Sequence, residues 1–183
     1  QQAIDKHFAA KADVTILVKE VDDPREYGLV QADSTGKITG FREKPSFTGV
    51  TSAFGNTGIY IVNKSVLQYI PKNKPFDFAK DLFPLLLQQN KHLQMNVHSE
   101  YWCDIGDIPT YLSCQRYLLQ KTKTPHYKGE QVTVAPSTKL KGNCVLEQGV
   151  EIGAHCVVEN SVLLKGAKVE DGCKLYNCVI GGN

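Results

Sequence analysis

The stretch with the clearest capacity for chemistry is Tyr101-Trp102-Cys103-Asp104-Ile105-Gly106-Asp107, where an apolar run stops at a carboxylate and passes into the helical pattern Pro109 to Leu119. A carboxylate where a strand ends and a helix begins, with a glycine beside it that lets a ligand approach the backbone, suits a hard cation carrying phosphates. The same Asp104 also suits a purely structural task, because aspartate is a favoured helix N-cap and Pro109 fits a first helical turn.

Two further groups fall upstream. In Ile38-Thr39-Gly40-Phe41-Arg42-Glu43-Lys44-Pro45 the proline holds Lys44 extended and stops the strand, so Glu43 and Lys44 form an acceptor and donor pair at a strand end. Such a pair can bind a hydroxyl and a phosphate, or serve as ordinary edge charges. In Asn56-Thr57-Gly58-Ile59-Tyr60 the amide of Asn56 offers both a donor and an acceptor, as a sugar hydroxyl requires, and Gly58 leaves room for close approach. An Asx turn opening the strand accounts for the same two residues.

These residues need elements to hold them. Gln1 to Ala12 reads as the tail of an amphipathic helix with Ile4 and Phe8 on its apolar face, and Val14, Ile16 and Val18 mark a buried strand. Glu26 to Asp33 and Ile38 to Pro45 form a hairpin across Ser34-Thr35-Gly36-Lys37, and Asn56 to Asn63 is the next strand. Lys64 to Tyr69 is a short helix, Phe78 to Asn90 a longer one interrupted at Pro84, and Leu93 to His98 a strand returning towards Asp104. The expected fold is α/β, a mixed sheet with helices, and no Gly-rich phosphate loop occurs in it.

Gln120 to Glu130 is polar, with Pro125 and Gly129, and reads as a linker. Beyond it the period changes. Val132, Val134 and Leu140 recur 18 residues on as Val150, Ile152 and Val158, and Ile152, Cys156, Val158, Asn160 and Val162 recur 17 residues on. Short apolar steps with Gly and Asn punctuation at this period predict a β-solenoid of three faces, with Cys156 and Cys173 stacked inside the coil. The expected organisation is an α/β domain over residues 1–120, a linker over 121–130 and about three coils over 131–183.

At 183 residues and 42% hydrophobic composition the chain can build a real core, and a formal charge of +2 gives no compositional case for a nucleic-acid or membrane partner. No apolar run is long enough to span a bilayer and no signal pattern opens the chain, so a cytoplasmic location is expected. The six cysteines contain no C-x-x-C pair and sit mostly at apolar positions, which predicts buried thiols. The chain opens at Gln1 inside a helical pattern, as a fragment of a longer protein would.

Tyr27-Gly28, Glu43-Lys44-Pro45, Asn56-Thr57-Gly58-Ile59-Tyr60, Phe78 to Pro84 and Trp102-Cys103-Asp104-Ile105-Gly106, in this order and followed by hexapeptide repeats, resemble the sugar-1-phosphate nucleotidyltransferases. The similarity is greatest to the mannose-1-phosphate guanylyltransferase group with a C-terminal left-handed parallel β-helix. The resemblance implies the C-terminal half of the nucleotidyltransferase domain, carrying the sugar-phosphate half-site without the nucleotide half-site. It implies attack of a sugar-1-phosphate oxygen on the α-phosphate of a nucleoside triphosphate, with Mg²⁺ neutralising charge and pyrophosphate leaving. It also implies that Asp104 binds the metal, that Lys44 meets the sugar phosphate, that Glu43 and Asn56 meet sugar hydroxyls, and that the Gly28 backbone contacts the sugar. A homo-oligomer formed through the β-helix is expected, as is the absence of turnover by this chain alone.

Two other readings compete. A hexapeptide-repeat acyltransferase would use His155 as general base, but that residue adjoins the inward Cys156 and is expected to face solvent. A non-catalytic scaffold subunit of the same fold would have no need of Asp104, Glu43 and Lys44 together.

Overall fold

A computed structural model describes residues 1–23, 27–42 and 53–182. They form two compact units, Gln1–Trp102 and Cys103–Asn183.

In the first unit, helix α1 (Gln2–Ala9) precedes a five-stranded mixed sheet of β1 (Val14–Val21), β2 (Leu29–Ala32), β3 (Ile38–Arg42), β4 (Ala53–Val62) and β5 (Leu93–Val97). The order across the sheet is β3-β2-β4-β1-β5, with β1 antiparallel to β4 and parallel to β5. β1 is an interior strand, paired on both edges, and its β-branched residues are covered on both faces: Val14, Ile16 and Val18 are fully buried, and so is Thr15 between them. A 3₁₀ helix (Lys64–Tyr69), a π turn (Phe78–Leu82) and helix α2 (Phe83–Gln88) contribute Val66, Leu82, Phe83 and Leu86 to the same core.

The expected helix over 78–90 is therefore two pieces. In an α-helix the ring of Pro84 would clash with the carbonyl of Lys80, and it offers no N–H to bond it. The chain widens instead, and Leu82 N–H donates to Asp77 O at 3.0 Å. Asp77 fixes the turn by accepting from Ala79 N–H and Lys80 N–H, both at 2.8 Å, while its own N–H donates to Asp81 Oδ2 at 2.8 Å.

The inner face of α1 also differs from expectation. Ile4 and Phe8 are exposed and His7 is buried. The imidazole is tolerated there because both nitrogens have partners, Thr15 Oγ1 at 2.9 Å and Asn63 Oδ1 at 3.2 Å. Asn63 Nδ2 donates to Ala12 O, so its Oδ1 is an acceptor and His7 Nε2 carries the proton.

The second unit opens with helix α3 (Ile108–Thr122) and continues as a coil of short parallel strands: β6 (His126–Lys128), β7 (Thr133–Val134), β8 (Lys139–Lys141), β9 (Cys144–Leu146), β10 (Glu151–Ile152), β11 (Val157–Glu159), β12 (Val162–Leu163), β13 (Lys168–Val169), β14 (Lys174–Tyr176) and β15 (Val179–Ile180). Three faces result, β13-β10-β7, β14-β11-β8 and β15-β12-β9-β6. Thr133 lies beside Glu151 and Glu151 beside Lys168, so the 18- and 17-residue repeats are the lengths of successive coils. This is the hexapeptide β-helix that the repeat predicts.

The segment expected as linker holds β6, whose His126 lies beside Cys144 and which extends one face by a strand. The first compact unit ends at Trp102, and within the second Tyr111, Leu112 and Leu119 of α3 pack on Val145, Val162 and Val179 of the coil.

Inside the coil Cys144 and Cys156 are buried, and all six cysteines are free thiols. Burial pushes the Cys144 thiol above its ordinary pKa. One corner takes positive φ at Gly142 (60°), Asn160 (48°) and Asn177 (48°), and Asn160 Oδ1 accepts from Asn143 N–H at 3.0 Å. His155 is exposed at another corner, as expected. Leu146 is fully buried in the coil core. Replacing it with alanine is expected to destabilise the coil by about 2–5 kcal/mol, read by urea titration; an unchanged midpoint would contradict this packing.

Candidate functional site

Of the five residues singled out, Gly28 and Asn56 come together. Asn56 N–H donates to Gly28 O at 2.8 Å, and both line a cleft of about 250 Å³ with Phe41, Arg42, Lys80 and Pro84. Glu43 and Lys44, together with Pro45, lie outside the described residues. Asp104 belongs to the second unit.

A bulge in β4 sets the pose of Asn56. Ile16 is opposite Tyr60 and Val18 opposite Asn56, so the single residue Leu17 faces three residues, 57 to 59. Thr57 Oγ1 donates to Leu17 O at 2.8 Å, and Gly58 turns the chain at φ 77°. A side chain at 58 would meet nothing within 4 Å, so the glycine is needed for its dihedral rather than for space. Asn56 Oδ1 accepts from Gly58 N–H at 3.0 Å, which is the expected Asx turn, placed within a ten-residue strand rather than at its entry.

Asn56 Nδ2 donates to the Tyr60 hydroxyl at 3.0 Å. With one lone pair and one N–H committed, the amide keeps one acceptor site and one donor for a ligand. Tyr60 is itself held by the core: its ring stacks on Phe78 at 5.7 Å and meets Phe83 edge-on at 4.9 Å. Burial raises the phenol pKa above its ordinary value, so the hydroxyl stays protonated at neutral pH.

The approach to Asp104 is anchored in the first unit up to Trp102. Lys19 Nζ donates to Ser99 O and Glu100 O at 3.2 and 2.8 Å, and the Trp102 ring lies 5.7 Å from that of Tyr27, next to Gly28. In the second unit the helix cap is Asp107 and not Asp104. Asp107 Oδ1 accepts from Thr110 N–H at 2.7 Å. The Asp104 carboxylate is exposed and has no hydrogen-bond partner among the described residues, and a side chain at Gly106 would meet nothing within 4 Å.

Sequence reasoning passed over Arg42 and Lys80. The available signals were the position of Arg42 directly before Glu43-Lys44-Pro45, and of Lys80 four residues before Pro84, the spacing that forces the π turn.

Two outcomes follow. Tyr60→Phe removes the partner of Asn56 Nδ2 and is expected to lower stability by about 0.5–1.5 kcal/mol, with a shifted Asn56 side-chain amide signal in NMR; an unmoved signal would contradict the bond. The Thr110 hydroxyl and N–H hold the Asp107 carboxyl below the ordinary aspartate pKa. Its stabilisation is therefore full above about pH 3.9, the unfolded value, and is lost as pH falls through the depressed native value. In urea titrations the stability gap between wild type and Asp107→Asn is expected to be largest above about pH 4 and to shrink towards pH 2.

Comparison with known proteins places this geometry. The family model described as nucleotidyl transferase matches residues 1–121, and that described as GlmU-like, C-terminal hexapeptide, matches residues 130–183. The chain is 28% identical over 182 residues to mannose-1-phosphate guanylyltransferase of Mycobacterium tuberculosis, covering 94% of this chain and 50% of that protein. It is 31% identical over 183 residues to probable mannose-1-phosphate guanylyltransferase 2 of Arabidopsis thaliana, covering 98% of this chain and 48% of that protein. It is 30% identical over 215 residues to UTP–glucose-1-phosphate uridylyltransferase of a Synechocystis strain, covering 98% of this chain and 55% of that protein. The chain thus spans about half the length of the curated relatives it matches. On the match over residues 1–121 and the cleft those residues build, the chain belongs to the nucleotidyl transferase family.

Proposed function

We propose that this chain is the sugar-phosphate-binding part of a nucleotidyltransferase that joins mannose-1-phosphate to GTP, giving a nucleotide sugar and pyrophosphate. The observation that carries the reading is the convergence of Gly28 and Asn56 on one cleft that also bears two cations, in a chain of this family. The cleft is smaller than the about 300–1,000 Å³ of drug-sized ligand pockets and suits one compact polar ligand.

In this reading Asn56 orients the sugar by offering its remaining N–H and lone pair to hydroxyls, with Tyr60 fixing the amide in advance. The Gly28 backbone contacts the sugar, Glu43 accepts from a second hydroxyl, and Lys44 donates to the anomeric phosphate. Asp104 would hold Mg²⁺. Among the described residues no cluster of three or more His, Cys, Asp or Glu forms a dedicated cage. A single uncommitted carboxylate nevertheless fits an ion that commonly takes one or two carboxylates plus phosphate oxygens. When bound, the ion supplies neutralisation of phosphate charge.

Mannose and GTP rather than glucose and UTP follow the motif resemblance, and the relatives named above carry both pairs of substrates in their names. No Gly-rich phosphate loop occurs in the 183 residues, so we infer that the chain alone binds sugar phosphate without turning it over. No helix among the described residues is long and apolar enough to cross a membrane.

The test is pyrophosphate release by the full-length protein across GTP, UTP and ATP, each with mannose-1-phosphate and glucose-1-phosphate. The expected result is fastest release from GTP with mannose-1-phosphate, at least about a hundredfold slower in Asp104→Asn, and none from the 183-residue chain. A preference for another pair would reassign the substrates, and no release from any pair would sink the reading.

A further inference from the structure

Arg42 and Lys80 reach the cleft from different elements, Arg42 as the last residue of β3 and Lys80 from the middle of the π turn. Both side chains are exposed, and neither has a hydrogen bond or ion pair among the described residues. Among the described residues no carboxylate lines the cleft with them. The two acids nearest in sequence to Lys80 are committed within the turn: Asp77 accepts from Ala79 N–H and Lys80 N–H, and Asp81 accepts from Asp77 N–H. The local structure therefore presents two cations to one small cavity and spends the adjacent carboxylates on backbone donors. Two like charges facing one cavity repel unless an anion lies between them. The π turn that carries Lys80 is a local departure from helix geometry of a kind that recurs at functional sites.

We propose that Lys80 and Arg42 clasp the anionic end of the ligand in this cleft as a phosphate monoester dianion, acting as further binding residues beyond Glu43, Lys44 and Asn56. The inference rests on the reading of the cleft as a sugar-phosphate site. The division of labour is chemical. The guanidinium of Arg42 offers a planar fork to two phosphate oxygens, and the ammonium of Lys80 a compact charge that can follow the phosphate as it moves. Pro84 fixes the backbone that carries Lys80, so the cation is presented from a rigid turn rather than from a mobile loop.

Calorimetric titration of the 183-residue chain with mannose-1-phosphate, glucose-1-phosphate, mannose and inorganic phosphate tests this. Wild type is compared with Lys80→Gln, Arg42→Gln, the double variant and Lys80→Arg. Wild type is expected to bind a sugar phosphate more tightly than free mannose. Each neutral single variant is expected to weaken that binding about tenfold, the double variant further, and Lys80→Arg to retain most of it. Melting temperatures are expected to stay unchanged, because neither side chain is packed. Equal sugar-phosphate affinity in wild type and double variant would overturn the clasp and leave the sugar-phosphate site standing. Binding of inorganic phosphate as tight as that of sugar phosphate, and lost in the double variant, would keep the clasp and overturn the sugar reading. No binding of any of the anions would overturn both.

Discussion

The pairing of β1 with β4 governs the first unit, and its one irregularity governs the cleft. A regular ladder starting from Val14 opposite Val62 would put Leu17 opposite Ile59 and bring Val21 opposite Gly55, whereas Val21 lies opposite Ala53. Three residues instead face Leu17 alone, and the Thr57 hydroxyl satisfies the carbonyl the ladder leaves open. The same bulge places Asn56 against the Gly28 carbonyl and bends its amide back to Gly58. The pose of Asn56 and the continuity of the sheet are thus settled at one spot.

From that spot the dependence runs into the core. Tyr60 emerges two residues past Gly58, and its ring is gripped by Phe78 and Phe83, one from the π turn and one from α2. Aromatic packing therefore positions a hydroxyl, the hydroxyl positions an amide, and the amide faces the cleft. The same π turn carries Lys80, so both walls of the cavity depend on how the chain accommodates Pro84. Changes that loosen Phe83 are felt at Asn56 without touching it.

Much of this was legible before any coordinates. Alternation of Val14, Ile16 and Val18 located a buried strand, and the 18- and 17-residue recurrence located the coil, because both patterns are written in side chains that must face inward. What escaped was set by tertiary partners rather than by local pattern. His7 displaced Ile4 and Phe8 as the inner face of α1 because Thr15 and Asn63, far along the chain, satisfy its ring. His126 to Lys128 looked like linker because a three-residue strand at the edge of a coil needs only one neighbour and no repeat of its own. Arg42 and Lys80 were overlooked because charge on a strand end or a helix is ordinary until topology brings both to one cavity. Asp104 carried two readings, and the cap geometry of Asp107 removes the helix-capping one.

That separation has an evolutionary reading. Where one aspartate both starts a helix and meets a ligand, neither task can change without disturbing the other. Here the helix is capped by Asp107, and Asp104, three positions earlier, is left uncommitted. A lineage can therefore drift at position 104 while the scaffold keeps its shape.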